Sequence, residues 1–113
     1  MKNTKLQLWE ILVPTQLNDG FKIKIEHHKK WDDFVQKITN GLTIQKTSKG
    51  IWINQKDIKY EEKMIPVKIA CTKRQIQKIA DFTAEHYQQE AVIFYKVSRE
   101  VYIFNYNYSF QRT

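Results

Sequence analysis

Leu6-Gln7-Leu8-Trp9-Glu10-Ile11-Leu12-Val13 is the stretch from which the rest of the chain can be ordered. Trp9, Ile11 and Val13 alternate on one side; Leu6, Leu8, Glu10 and Leu12 alternate on the other. A strand apolar on both sides belongs in the middle of a sheet, buried on both faces. Pro14, which has no amide hydrogen to give to a ladder, ends it. Glu10 is the one charge in this run, and it lies opposite Trp9, Ile11 and Val13.

Downstream, the loop Thr15–Gly20 holds the turn signal Asn18-Asp19-Gly20, and Phe21–Ile25 reads as a short extra strand. From about His28 an amphipathic helix follows, because Trp31, Phe34, Val35 and Ile38 fall at i, i+3, i+4 and i+7. Asn40-Gly41 supplies residues that tolerate a left-handed helix end. Leu42–Gln45 starts a strand, Lys46–Gly50 reads as a bulge or turn, and Ile51–Asn54 resumes the extended pattern. A reversal around Asn54–Asp57 leads to a strand at about Glu62–Cys71, with Ile65, Val67 and Ile69 on one face and Met64, Pro66, Lys68 and Ala70 on the other. Thr72-Lys73-Arg74-Gln75 is a capping box, and Cys71 with Ile76 forms its hydrophobic staple. The second helix buries Ile76, Ile79, Ala80, Thr83 and Tyr87. Ala91–Tyr106 reads as a strand, a tight reversal at Ser98-Arg99 and another strand, and Tyr106, Tyr108 and Phe110 suggest a tail that docks.

The order is strand–helix–strand–strand–helix–strand with an extra C-terminal strand: an α+β two-layer sandwich with two helices on one face of an antiparallel sheet. The other sheet face has no cover from its own chain, which points to a partner. Pro66 conflicts with this order, because the third strand of such a sheet is central and proline is rare there. A bulge or a different strand order would resolve it.

At 113 residues the chain reads as one domain spanning 1–113, long enough to bury a core without disulfides or metal. One cysteine excludes an intramolecular disulfide, and no secretory leader is evident, so the expected compartment is cytoplasmic. No stretch approaches the roughly 18 apolar residues of a membrane span. The net charge of +7 is spread evenly along the chain and carried mostly by lysine. Such an excess attracts small anions. A nucleic-acid face clusters its charge and favours arginine, so that partner is not favoured.

Several residues invite chemistry. Glu10 and Lys68 meet on the face away from the helices if their strands are neighbours, as an ion pair or as an acid/base or anchoring pair. His28 shares a helix face with Asp32 and is read as a ligand contact; no further His or Cys completes a metal site. Thr47-Ser48-Lys49-Gly50 is a hydroxyl-rich basic turn suited to an anion, with Trp52 and Tyr60 near enough in sequence to stack on a ring. Cys71 beside a helix N-terminus would have a favoured thiolate, although the staple explains it more economically.

The topology resembles the ferredoxin-like superfold. Leu8–Pro14, Gly41–Ile44, Gly50-Ile51-Trp52 and Met64–Val67 resemble segments of small bacterial and phage proteins of that fold, a resemblance that implies the fold and brings no functional motif. RNA-recognition motifs need aromatics on the third strand, and acylphosphatases an arginine loop after the first; neither is present. Dimeric α+β barrels, small cofactor-free enzymes that pair through their sheets, are similar in length and order.

These readings converge on a homo-oligomer, dimer or higher, that binds a small anionic, nucleotide-like ligand without turnover. The expected site is Glu10, His28, Lys49, Trp52 and Lys68, with no metal and no cofactor. A cofactor-free isomerase, lyase or monooxygenase using Glu10 or His28 as base is the alternative. A nucleic-acid- or protein-binding module is the third.

Overall fold

A computed structural model describes residues 2–3, 5–39, 43–44, 48–53 and 59–104; for 2–3, 43–44, 48–53 and 59–62 only the backbone is described. The elements are β1 (Lys2–Asn3), β2 (Gln7–Pro14), α1 (Ile25–Ile38), β3 (Thr43–Ile44), β4 (Ser48–Ile53), β5 (Lys59–Cys71), α2 (Lys73–His86), β6 (Phe94–Ser98) and β7 (Tyr102–Ile103). The main sheet is antiparallel in the order β3-β5-β2-β6, with β4 also paired to β5. Asn40-Gly41, the Asn54–Asp57 reversal and the tail from residue 105 lie outside the described residues.

β2 is central, as its two apolar sides require. Trp9, Ile11 and Val13 pair in register with Ile69, Val67 and Ile65 and face the helices. Against them pack Trp31 and Val35 of α1, and Ile76 and Ile79 of α2, with Tyr87 just past its end; all five are essentially inaccessible. Burying each large apolar side chain contributes about 1.5–3 kcal/mol, so this layer is the main favourable term.

The two helices begin differently. In α2, Thr72 Oγ1 accepts from the Gln75 amide at 3.2 Å and Gln75 Oε1 accepts from the Thr72 amide at 2.9 Å, the reciprocal capping box. Gln75 Nε2 also donates to the Ile38 carbonyl at the end of α1, so the box ties the helices together. Thr72→Ala should therefore cost about 1 kcal/mol in urea denaturation with the fold retained. An unchanged midpoint would mean that another group caps the helix. α1 starts at Ile25, three residues before the expected position, and its cap residue Lys24 makes no side-chain cap.

Two expectations are corrected. Phe21–Ile25 forms no strand: a single bridge, Gln16 to Lys22, closes the loop on itself, and the Ile23 amide returns to the Thr15 carbonyl. The chain after the turn at Ser98–Glu100 does not fold back on β6; β7 pairs antiparallel with β1 in a separate two-stranded sheet, Lys2 opposite Ile103 and Asn3 opposite Tyr102.

Pro66 is accommodated without a change of strand order. The Leu12 amide donates to Ile93 at 3.0 Å, away from β5, so the Leu12–Pro66 pair exchanges no ladder bond. The proline nitrogen thus faces the other edge. There β3 pairs as far as Val67 and β4 begins at Met64, and among the described residues nothing is paired with Ile65 or Pro66 on that side. The missing N–H falls where one neighbour strand gives way to the next.

Candidate functional site

The register draws Thr43, Lys68, Glu10 and Tyr95 into one row across β3, β5, β2 and β6, on the face away from the helices. Lys68 Nζ lies 3.8 Å from Glu10 Oε1, with the carboxylate side chain 11% exposed and the lysine 31%. Leu8, Leu12, Pro66 and Ala70 stand on either side in register, and Tyr95 and Ile93, at 46% and 41% exposure, extend the apolar surface. Apolar surroundings lower the local dielectric and strengthen each charge's pull on a ligand. This row can present one cation, one carboxylate and a phenol to a small molecule.

Lys49 and Trp52 lie farther out. They pair with Lys63 and Tyr60, on the part of β5 that runs beyond the end of β2 and, among the described strands, is paired with β4 alone. At about 3.3 Å per residue they stand roughly 16 and 26 Å along β5 from Lys68. One chain therefore brings Glu10 and Lys68 together and leaves Lys49 and Trp52 on a two-stranded arm. Ser48–Gly50 is strand and not the expected anion-binding turn, since these residues continue the ladder opposite Glu62–Met64.

His28 is on the helix layer, on the opposite side of the sheet from Glu10. Its Nδ1 is 2.7 Å from the Tyr87 hydroxyl, which is buried and which burial keeps in its protonated form. The neutral hydroxyl can donate to this nitrogen or accept from it, according to the His28 tautomer. Around this bond runs a seam that helical spacing alone did not suggest: Phe34 stacks on Phe82 at 3.9 Å, Phe82 on His86 at 5.0 Å, and His86 on His27 at 3.7 Å. His27, Trp31 and Phe34 do fall at i, i+4 and i+7, and Ile79, Phe82 and His86 at i, i+3 and i+7.

Burial first, then the nearby His27 and His86, hold the His28 pKa below its usual value near 6.5. The folded state therefore binds fewer protons than the unfolded chain between the lowered value and 6.5, and stability rises with pH through that window. Acidification below about pH 6.5 should destabilise the protein, with the loss complete only below the folded pKa. His28→Asn should flatten that part of a stability-against-pH curve. An unaltered slope would place the acid sensitivity elsewhere.

Cys71 is a core residue, as the staple reading has it, and not a nucleophile. It is wholly inaccessible, and burial pushes its thiol up to about 11, opposite to the favoured thiolate. Asp32 is likewise raised, by burial and then by Asp33. Among the described residues no group of three His, Cys, Asp or Glu side chains could hold a metal, and no helix is long and apolar enough to cross a membrane.

Fold and site together define an α+β protein of ferredoxin-like architecture with a polar row on the sheet face away from the helices. The fold is similar to that of a phage SAM lyase in complex with S-methyl-5′-thioadenosine, with a TM-score of 0.66 and 17% identity over 86% of this chain and 84% of that one. It is also similar to the divalent cation tolerance protein CutA1 of Thermus thermophilus, with a TM-score of 0.57 and 11% identity over 94% and 91% of the two chains. A third similar fold is the divalent ion tolerance protein CutA1 of Ehrlichia chaffeensis, with a TM-score of 0.54 and 11% identity over 94% and 88%. No protein-family model and no curated protein matches the sequence. At these identities the likeness is one of fold. The similar proteins come from phage and bacteria, as the segment resemblance implied.

Proposed function

We propose that the chain self-associates through the sheet face away from the helices and binds a small anionic, nucleotide-like ligand there, releasing it unchanged. The observation that carries this reading is the Glu10–Lys68 pair, set among apolar side chains on a face that α1 and α2 do not cover. Ile93 and Tyr95 leave apolar surface exposed on that face, with Leu8 and Leu12 half-buried beside them, as a contact between copies would use. A second copy against it would also narrow the distance to Lys49 and Trp52, which a single chain holds too far away for one small ligand. The excess of lysine favours an anion, and the nucleoside in the similar phage structure supports a ligand of that size.

A second reading, a cofactor-free lyase with Glu10 as base, is favoured by that same phage protein, itself a lyase. Native mass spectrometry of protein from its own host separates the two. An oligomer retaining a nucleotide-sized ligand of unchanged mass is the expected result. Conversion of added S-adenosylmethionine to S-methyl-5′-thioadenosine would establish the lyase instead. A monomer in sedimentation at high micromolar concentration would overturn the association.

A further inference from the structure

The loop between β2 and α1 closes a second concavity, formed by loop and helix-layer residues and separate from the Glu10–Lys68 row. The loop is held at several points: Leu17 N donates to the Phe21 carbonyl, Gly20 turns with φ +87°, and Asn18 Nδ2 donates to the Gln88 carbonyl beyond α2 at 2.6 Å. The cavity it bounds has a volume of about 450 Å³. That lies within the range of small-molecule sites, roughly 300–1,000 Å³.

Its lining is mixed in a way that limits what fits. Leu17, Phe21 and Ile23 form an apolar wall, and Phe21 remains 71% exposed at the rim. Lys22 and Lys24 also line it, and neither is paired with a carboxylate among the described residues. His27 and His86 complete it, parallel at 3.7 Å, with each Nε2 2.7 Å from the backbone carbonyl of the other. A carbonyl only accepts, so both Nε2 atoms carry the hydrogen, and Nδ1 is the ring nitrogen each imidazole has left for a ligand, an acceptor wherever the ring is uncharged. Asp19 is committed to its own turn, accepting from the Phe21 amide at 3.0 Å, and its charge disfavours a polyanion.

We propose that this cavity binds a small planar organic monoanion carrying an N–H or O–H donor, such as a hydroxy- or amino-substituted aromatic carboxylate. Its flat apolar face covers Phe21, its charge sits between Lys22 and Lys24, and its donor meets an imidazole Nδ1. The site is independent of the ligand proposed for the open sheet face.

The test uses 4-hydroxybenzoate as probe and the His27 and His86 ring signals in carbon–proton NMR as readout. Saturable shifts of both rings with a Kd at or below about 1 mM are expected. Lys22→Ala/Lys24→Ala should weaken binding about tenfold or more, and so should replacing the probe by neutral 4-hydroxybenzamide. Both lysines are exposed, so this variant keeps the fold even if Phe21→Ala does not. Glu10→Gln should leave the titration unchanged, which separates this cavity from the open face. Absence of ring shifts, equal binding of the amide, or loss of binding in Glu10→Gln would each overturn the proposal.

Discussion

Trp31→Ala should lower stability by about 3–5 kcal/mol, the largest effect expected of any single change in the helix layer. Trp31 is 1% exposed, and its indole N–H donates to the Thr83 hydroxyl at 2.8 Å, while that hydroxyl donates onward to the Ile79 carbonyl. Truncation empties the space between α1 and α2 and removes the donor together. Proteins of this size have about 5–15 kcal/mol in total, so the variant should stand close to unfolding at 25 °C. Trp31→Phe keeps most of the ring volume and leaves the Thr83–Ile79 bond in place, so it should cost markedly less. Urea denaturation of both variants checks the argument. A loss below about 1 kcal/mol in Trp31→Ala would mean that this seam contributes little to holding the helices on the sheet.

Replacing the Glu10–Lys68 pair by an apolar pair, Glu10→Leu with Lys68→Met, should abolish retention of the ligand while stability changes little or rises. The carboxylate is nearly buried and the ammonium partly so, and apolar replacements of such pairs are often neutral or stabilising by about 1–4 kcal/mol. Glu10→Leu alone should be worse than the double change, since Lys68 then loses this partner next to apolar neighbours. Native mass spectra and melting curves of the three proteins distinguish the cases. Full retention of ligand by the double variant would show the pair to be structural and place the ligand elsewhere.

What the amino-acid pattern made legible is what depends on short-range spacing. Alternation along Leu6–Val13 identified the central strand and its buried face, and Thr72 with Gln75 identified the start of α2 to the residue. The meeting of Glu10 and Lys68 followed from placing two such strands side by side. What escaped depends on pairings remote in sequence. His27 and His86 are 59 residues apart, and nothing local to either signals the stack. A two-residue strand such as β1 has no periodicity to read, so its capture of β7 was invisible. Lys49 and Trp52 were grouped with Glu10 by their residue types, whereas their distance from it depends on which end of β5 takes β4 as its partner.

The proline in β5 has a consequence for how the molecule breathes. Geometrically β5 is one strand of 13 residues, yet Pro66 carries no amide proton and sits where its outer neighbour changes. Amides such as those of Val67 and Ile69, in the body of the sheet with a buried face, open only with most of the fold and should exchange with solvent slowly. Those of Lys59–Lys63, in a two-stranded ribbon that is marginal by itself, should open in small local events and exchange far sooner. A single strand should thus divide between two cooperative units, with exchange at Lys59–Lys63 independent of the body that carries Glu10 and Lys68.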